Sequence, residues 1–242
     1  MQTRQGSGLI LAMVLAGGAA AGYAGFCSHA LHPLNALAVL TLAAATSRMK
    51  VKLPGVDGNM SVNLPFLLVA VVSLSALEAV AIAALSTVVQ CWPARQAKFR
   101  PEQMLFNVSM MAFAASMASL MGTSAWMGKA AWATEPLLLV MASATFFLGQ
   151  TAPVAGIIKL TQGAAMQRVW MSIAQLSFPY YVISAGVTSM VNVISHHMGW
   201  QVALVTFPVM YGIHSSYKLY FGKDAQAMQP VPLRARAAGA GM

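Results

Sequence analysis

Charge is nearly absent from this chain, and what there is falls between long apolar runs. Charged residues make up 8% of the 242 positions, against roughly a quarter in a soluble globular domain. A charged side chain at the centre of a bilayer costs at least about 2.5 kcal/mol, so a chain that crosses membranes keeps its charges in the loops. Several of the runs continue uncharged for about 18 residues or more, the length a bilayer core demands. The sequence therefore reads as an all-α, polytopic integral membrane bundle whose first partner is the lipid bilayer. One transmembrane domain is expected over 1–222, with a short basic tail over 223–242.

Seven to eight helices are expected. The first two spans read as Gly8–Phe26 and Leu31–Ser47. The next apolar stretch, Val62–Trp92, is too long for one ordinary crossing at about 1.5 Å per residue. It contains Ser75-Ala76-Leu77-Glu78, the pattern of a capping box, in which serine and glutamate satisfy each other's backbone donors at a helix start. Two short helices, Val62–Ser73 and Leu77–Trp92, are expected there, as a hairpin or re-entrant pair. Single crossings follow over Met104–Gly122, Pro136–Ile158, Trp170–Ile194 and Trp200–Tyr220.

The basic loops test this arrangement. Arg48, Lys50 and Lys52, then Arg95, Lys98 and Arg100, then Lys159 and Arg168, then Lys218, Lys223, Arg234 and Arg236 all share one face only if Val62–Trp92 starts and finishes on the same side. Cytoplasmic loops carry the excess of Lys and Arg, so that face is cytoplasmic and the C-terminus lies inside, as in a bacterial inner-membrane protein. The net charge of +9 is accounted for by these loops, and nucleic acid is not an expected partner. Trp92, Trp126, Trp132, Trp170 and Trp200 sit near span ends, as an interfacial belt would. The first span also fits a cleavable signal peptide loosely, through Arg4 and the small residues of 19–24. Gly18 and Gly22 form a small-residue pair suited to close helix packing, and a homodimer through them is one expectation.

Reactive groups are few. The acids are Asp57, Glu78, Glu102, Glu135 and Asp224, and none pairs at a spacing suited to general acid–base work. No phosphate-binding glycine loop, His-Glu-x-x-His stretch or Gly-x-Ser-x-Gly elbow is present. The chain is not expected to be an enzyme. Glu78, the acid nearest the membrane interior, is a ligand-binding candidate by position, though the capping box already gives it a structural task. His29 and His32 lie in one outer loop, His196 and His197 in another, and together they are the candidates for a divalent metal. No other cofactor is expected. Cys27 and Cys91 fall on opposite faces, which disfavours a disulfide. The methionines, 18 in all, read as flexible packing. Asn63, Asn107, Gln150 and Tyr180 are the polar groups that would line a pocket. Pro153, Pro179 and Pro208 can kink their helices and free backbone carbonyls around it.

Two stretches carry a resemblance. The first is Lys52-Leu-Pro-Gly-Val-Asp-Gly-Asn-Met-Ser-Val-Asn63 with the broken apolar pair after it. The second runs from Phe178-Pro-Tyr-Tyr181 through Gly199-Trp200 to Pro208, Tyr211 and Ser216-Tyr-Lys-Leu-Tyr-Phe-Gly222. Together they resemble the multi-pass N-terminal region ahead of HD-GYP or GGDEF signalling domains in some bacteria. That resemblance implies a sensory membrane region, but neither output motif follows Lys223, so signalling would need a separate cytoplasmic partner. The pair after Ser-Val-Asn-Leu-Pro is also similar to the substrate-binding subunits of energy-coupling-factor vitamin transporters, which implies a helical core built around a small solute. Three expectations follow: a stand-alone sensory or anchoring membrane domain, a small-solute binding or transport subunit, or a structural subunit of a membrane complex.

Overall fold

The computed structural model describes residues 4–28, 31–52, 59–93, 99–123 and 135–198, with short helical pieces at 208–209, 211–212 and 215–216. In order these form α1 (Arg4–Cys27), α2 (Pro33–Ser47), β1 (Lys50–Lys52), β2 (Asn59–Ser61), α3 (Leu64–Ser73), α4 (Ala76–Cys91), α5 (Pro101–Thr123), α6 (Glu135–Gln162) and α7 (Met166–Met198). Three stretches, Gly6–Cys27, Pro101–Met121 and Pro136–Gln162, are long and apolar enough to cross a bilayer. The chain is a helical membrane protein. Helices α2, α3 and α4 are apolar but shorter, and α7 is longer but more polar. The expected eighth crossing, Trp200–Tyr220, falls outside the described residues apart from those short pieces, and so does the 223–242 tail.

The long apolar stretch divides where the capping box stands. Leu74 (φ −118°, ψ 173°) and Ser75 (φ −66°, ψ 154°) are both extended, so no glycine is needed to end α3. Ser75 Oγ accepts from the Glu78 N–H at 3.3 Å. Glu78 Oε2 accepts in return from the Ser75 N–H at 3.1 Å and its hydroxyl at 2.7 Å.

Hydrogen bonds fix both ends of this pair. The Val62 N–H donates to the Met49 carbonyl at 3.3 Å. Arg48 Nη1 donates to the carbonyls of Val89 (3.3 Å) and Trp92 (3.2 Å). The stretch thus starts and finishes beside the C-terminal end of α2. Its turn lies at the opposite end, where the Leu77 N–H donates to Ser28 Oγ at 3.0 Å and the His32 N–H to Glu78 Oε1 at 2.5 Å. The α3–α4 pair is therefore a hairpin that returns to the side it left, not one tilted helix.

The all-α expectation needs one small exception. β1 and β2 form an antiparallel ribbon with Lys50 opposite Ser61, Val51 opposite Met60 and Lys52 opposite Asn59. Strands of three residues carry too little alternation to stand out in a sequence. The ribbon ties α2 to the start of α3, with Ser61 Oγ donating to the Ser47 carbonyl at 3.1 Å.

The core is built around the hairpin, where Phe66, Leu67, Leu68 and Ile82 are buried with Phe146 and the alanines of α5. Hydrophobic burial between lipid-bathed helices gains little, so close backbone approach matters more. Gly17 supplies it for α1: a Cβ there would stand 2.5 Å from the Ser109 carbonyl oxygen. The expected pair, Gly18 and Gly22, faces open space, with no heavy atom within 4 Å of either Cβ position. One residue along a helix turns the side chain by about 100°, which puts Gly17 on the packed face and Gly18 off it.

Candidate functional site

A cavity of about 960 Å³ opens between the helices, near the upper end of the roughly 300–1,000 Å³ usual for small-molecule sites. Four sequence candidates, Asn63, Asn107, Gln150 and Tyr180, line it together. They come from the start of α3, from α5, from α6 and from α7, so only the tertiary fold assembles them. At one end lie buried groups: Asn63, Leu64, Tyr180 and Tyr181. At the other lie the exposed Arg100, Glu102, Gln103 and Gln162. Gln150 and Gln162, both on its lining, are separated by about 18 Å of α6 at the standard helical rise. Between them the wall is mostly apolar, with Ile10, Phe106, Met110, Val154, Ile157 and Ile173. Met110, which the sequence suggested as general packing, thus forms part of the wall.

Local chemistry places each polar group. Tyr180, only 2% exposed, accepts the Leu64 N–H on its phenol oxygen at 3.3 Å. One of the donors that a helix N-terminus leaves unmet is thereby satisfied from α7. Thr188 Oγ1 reinforces the contact by donating to the Pro65 carbonyl at 3.2 Å. The Tyr181 hydroxyl donates to Gln150 Oε1, and Gln150 Nε2 donates to the Met111 sulfur, which holds the Gln150 amide between two helices. Asn107 is half-buried and donates to Cys91 Sγ at 3.4 Å. Pro179 sits inside α7 directly before the tyrosine pair and cannot donate to the preceding turn.

Asn63 differs from the others. It is 4% exposed, and its Nδ2 has no hydrogen-bond partner among the described residues. It occupies the N-cap position of α3, yet its side chain makes no capping bond.

Glu78 is not at the cavity. It is buried at the hairpin tip, with Oε2 held by Ser75 and Oε1 by the His32 N–H. Of the metal candidates, the His32 side chain is exposed, while His29 and the side chains of His196 and His197 lie outside the described residues. No three His, Cys, Asp or Glu residues converge among the described residues. Trp92 is exposed at the end of α4, in keeping with a belt. Trp170 is instead tied inward, its indole N–H donating to Thr151 Oγ1 at 3.1 Å. Trp126, Trp132 and Trp200 lie outside the described residues.

Sequence reasoning missed Tyr181, Thr151 and Ser177 at the inner end and Arg100 and Glu102 at the mouth. Tyr181 had a signal, since it stands beside Tyr180 and after a helix-interior proline. Thr151 and Ser177 had none, because membrane helices carry many hydroxyls bonded to their own preceding turn, as Thr151 is to the Phe147 carbonyl at 2.8 Å. Chemically, the inner end offers uncharged donors and acceptors and no charged side chain among the described lining residues. Comparison of the chain with protein-family models, with characterised proteins and with solved structures finds no match.

Proposed function

We propose that this is a non-catalytic membrane protein that binds a small solute among its helices, as a binding or transport subunit does. The observation that carries the reading is the convergence of Asn63, Asn107, Gln150 and Tyr180 on one cavity of about 960 Å³. Buried polar groups facing an apolar-walled cavity are the usual makings of a small-molecule site. The basic residues at the helix ends and adjoining loops, Arg48, Arg100, Lys159 and Arg168, support a reading in which the mouth faces the cytoplasm under the positive-inside rule, with a bacterial inner membrane as the proposed setting. A sensory role would use the same cavity.

The test is a thermal-unfolding screen of the purified full chain against a panel of small apolar and amphipathic solutes. It is run in parallel on a variant carrying Val154→Trp and Ile158→Trp, which fill the cavity from one face of α6. The expected result is a solute class that raises the unfolding midpoint of the natural chain and leaves the filled variant unchanged. Equal shifts in both proteins, or none in the natural chain, would overturn the reading.

A further inference from the structure

We propose that the flank formed by α2 and α4 is fitted to a thin bilayer. Lipid acyl chains cover it, and along this side the protein draws the two leaflets closer together than an ordinary membrane holds them. None of the residues on this flank that carry the proposal lines the cavity.

Each of the two helices presents one apolar stripe. On α2 the exposed positions beyond the first turn are Leu37, Thr41 and Ala45, in line with Leu34 before them and Arg48 after them. On α4 they are Leu77, Ala81 and Leu85, with the exposed Trp92 at the end. Steps of three, four and seven residues keep to one face of a helix. The other face of α2, with Val39, Ala43 and Thr46, is buried where the helix packs on α3 and α4. The hydroxyl on the α2 stripe, Thr41 Oγ1, donates to the Leu37 carbonyl of its own helix at 2.8 Å. Polar groups facing lipid must be satisfied within the protein, and this one is. Between its ends the flank therefore offers apolar surface only, which suits acyl chains.

The stripes are short for a membrane. From Leu34 to Arg48 along α2 the helical rise gives about 21 Å, and from Leu77 to Trp92 along α4 about 22 Å. An ordinary hydrocarbon core is about 30 Å thick, and tilting a helix only reduces the depth it covers. Both ends of the flank are tied. At one, Arg48 Nη1 donates to the Val89 and Trp92 carbonyls, which sets the ends of α2 and α4 level and keeps the guanidinium from reaching outward to a more distant headgroup layer. At the other, Ser28 Oγ accepts from Leu77 and the His32 N–H donates to Glu78, beside the exposed His32 side chain. Elsewhere the bundle matches an ordinary bilayer: Gly6–Cys27 of α1 and Pro101–Met121 of α5 extend about 33 Å and about 32 Å. The mismatch is thus confined to one flank, and a bilayer meets a short apolar surface by thinning against it.

The experiment follows thermal unfolding of the full chain in nanodiscs of dimyristoleoyl, dipalmitoleoyl, dioleoyl and dierucoyl phosphatidylcholine, in order of rising thickness. The midpoint is expected to be highest in one of the first two lipids and to fall by at least about 5 °C in the last. A maximum in dioleoyl or dierucoyl lipid, or no dependence on chain length, would overturn the proposal, because the long spans of α1, α5 and α6 by themselves favour the thicker bilayers. A second measurement reads the flank directly, with a spin label at Leu34→Cys or Thr41→Cys in a chain carrying Cys27→Ala and Cys91→Ala, in dioleoyl nanodiscs. Dissolved oxygen, concentrated in hydrocarbon, is expected to relax the Thr41 label strongly. A water-soluble nickel chelate is expected to reach the Leu34 label, about 10 Å away along α2. A Leu34 label open to oxygen but shielded from nickel would overturn the thinning. A Thr41 label shielded from both would mean that a protein surface covers the stripe in place of lipid, and would overturn the proposal as well.

Discussion

Glu78 tests the hairpin most sharply, because its bonds separate a local role from a long-range one. Two of them are local: Oε2 accepts from the Ser75 N–H and hydroxyl. The third is not: Oε1 accepts from the His32 N–H, 46 residues away in sequence, at 2.5 Å. If Glu78 only capped α4, removing it would cost what a cap costs, about 1 kcal/mol. A hydrogen bond to a charged acceptor adds about 1.5–3 kcal/mol, and Glu78 is 8% exposed, so water does not replace the lost partner. Glu78→Ala is therefore expected to destabilise the protein by about 3 kcal/mol and Ser75→Ala by about 1 kcal/mol. Glu78→Gln should fall between them, since glutamine supports a capping box but offers one acceptor oxygen where two are used. Unfolding by sodium dodecyl sulfate in lipid bicelles, followed by circular dichroism, measures all three. A Glu78→Ala cost no larger than that of Ser75→Ala would refute the long-range role and loosen the placement of the hairpin tip.

Three other outcomes follow from the same packing. Gly17→Ala should cost about 1–3 kcal/mol by overpacking, because the added methyl would press on the Ser109 backbone; Gly18→Ala, facing open space, should be neutral or stabilising by up to about 1 kcal/mol. The same bicelle titration reads both. Tyr181→Phe leaves Gln150 Oε1 without its donor and is expected to cost about 1–2 kcal/mol, with a matching fall in unfolding midpoint. A membrane-impermeant maleimide applied to intact spheroplasts should label the exposed Cys27 and spare Cys91, since the two cysteines close opposite ends of the bundle; labelling of Cys91 alone would invert the orientation.

What the sequence made legible was governed by how local each signal is. The broken apolar stretch was visible because a capping box needs only four consecutive residues, and Ser75 and Glu78 make those bonds. The return of the hairpin was legible through Arg48, Lys50 and Lys52, whose side of the membrane depends on it. The ribbon was not, because its strands are too short to show a period. Gly17, the glycine that packs α1 against α5, was not legible, since spacing alone does not say which face of α1 meets α5. Asn63, Asn107, Gln150 and Tyr180 were legible as polar groups in apolar segments, where such side chains are expected to find hydrogen-bond partners between helices. That they meet at one cavity was not, because four separate segments contribute them.

Native mass spectrometry of the full chain, lifted gently from the membrane in which it is made, addresses solute binding at its source. A single neutral small molecule should ride with the natural protein and be absent from the variant carrying Val154→Trp and Ile158→Trp. A bare chain, or the same molecule on both proteins, would show that the cavity lined by Asn63 and Tyr180 is not where this protein does its work.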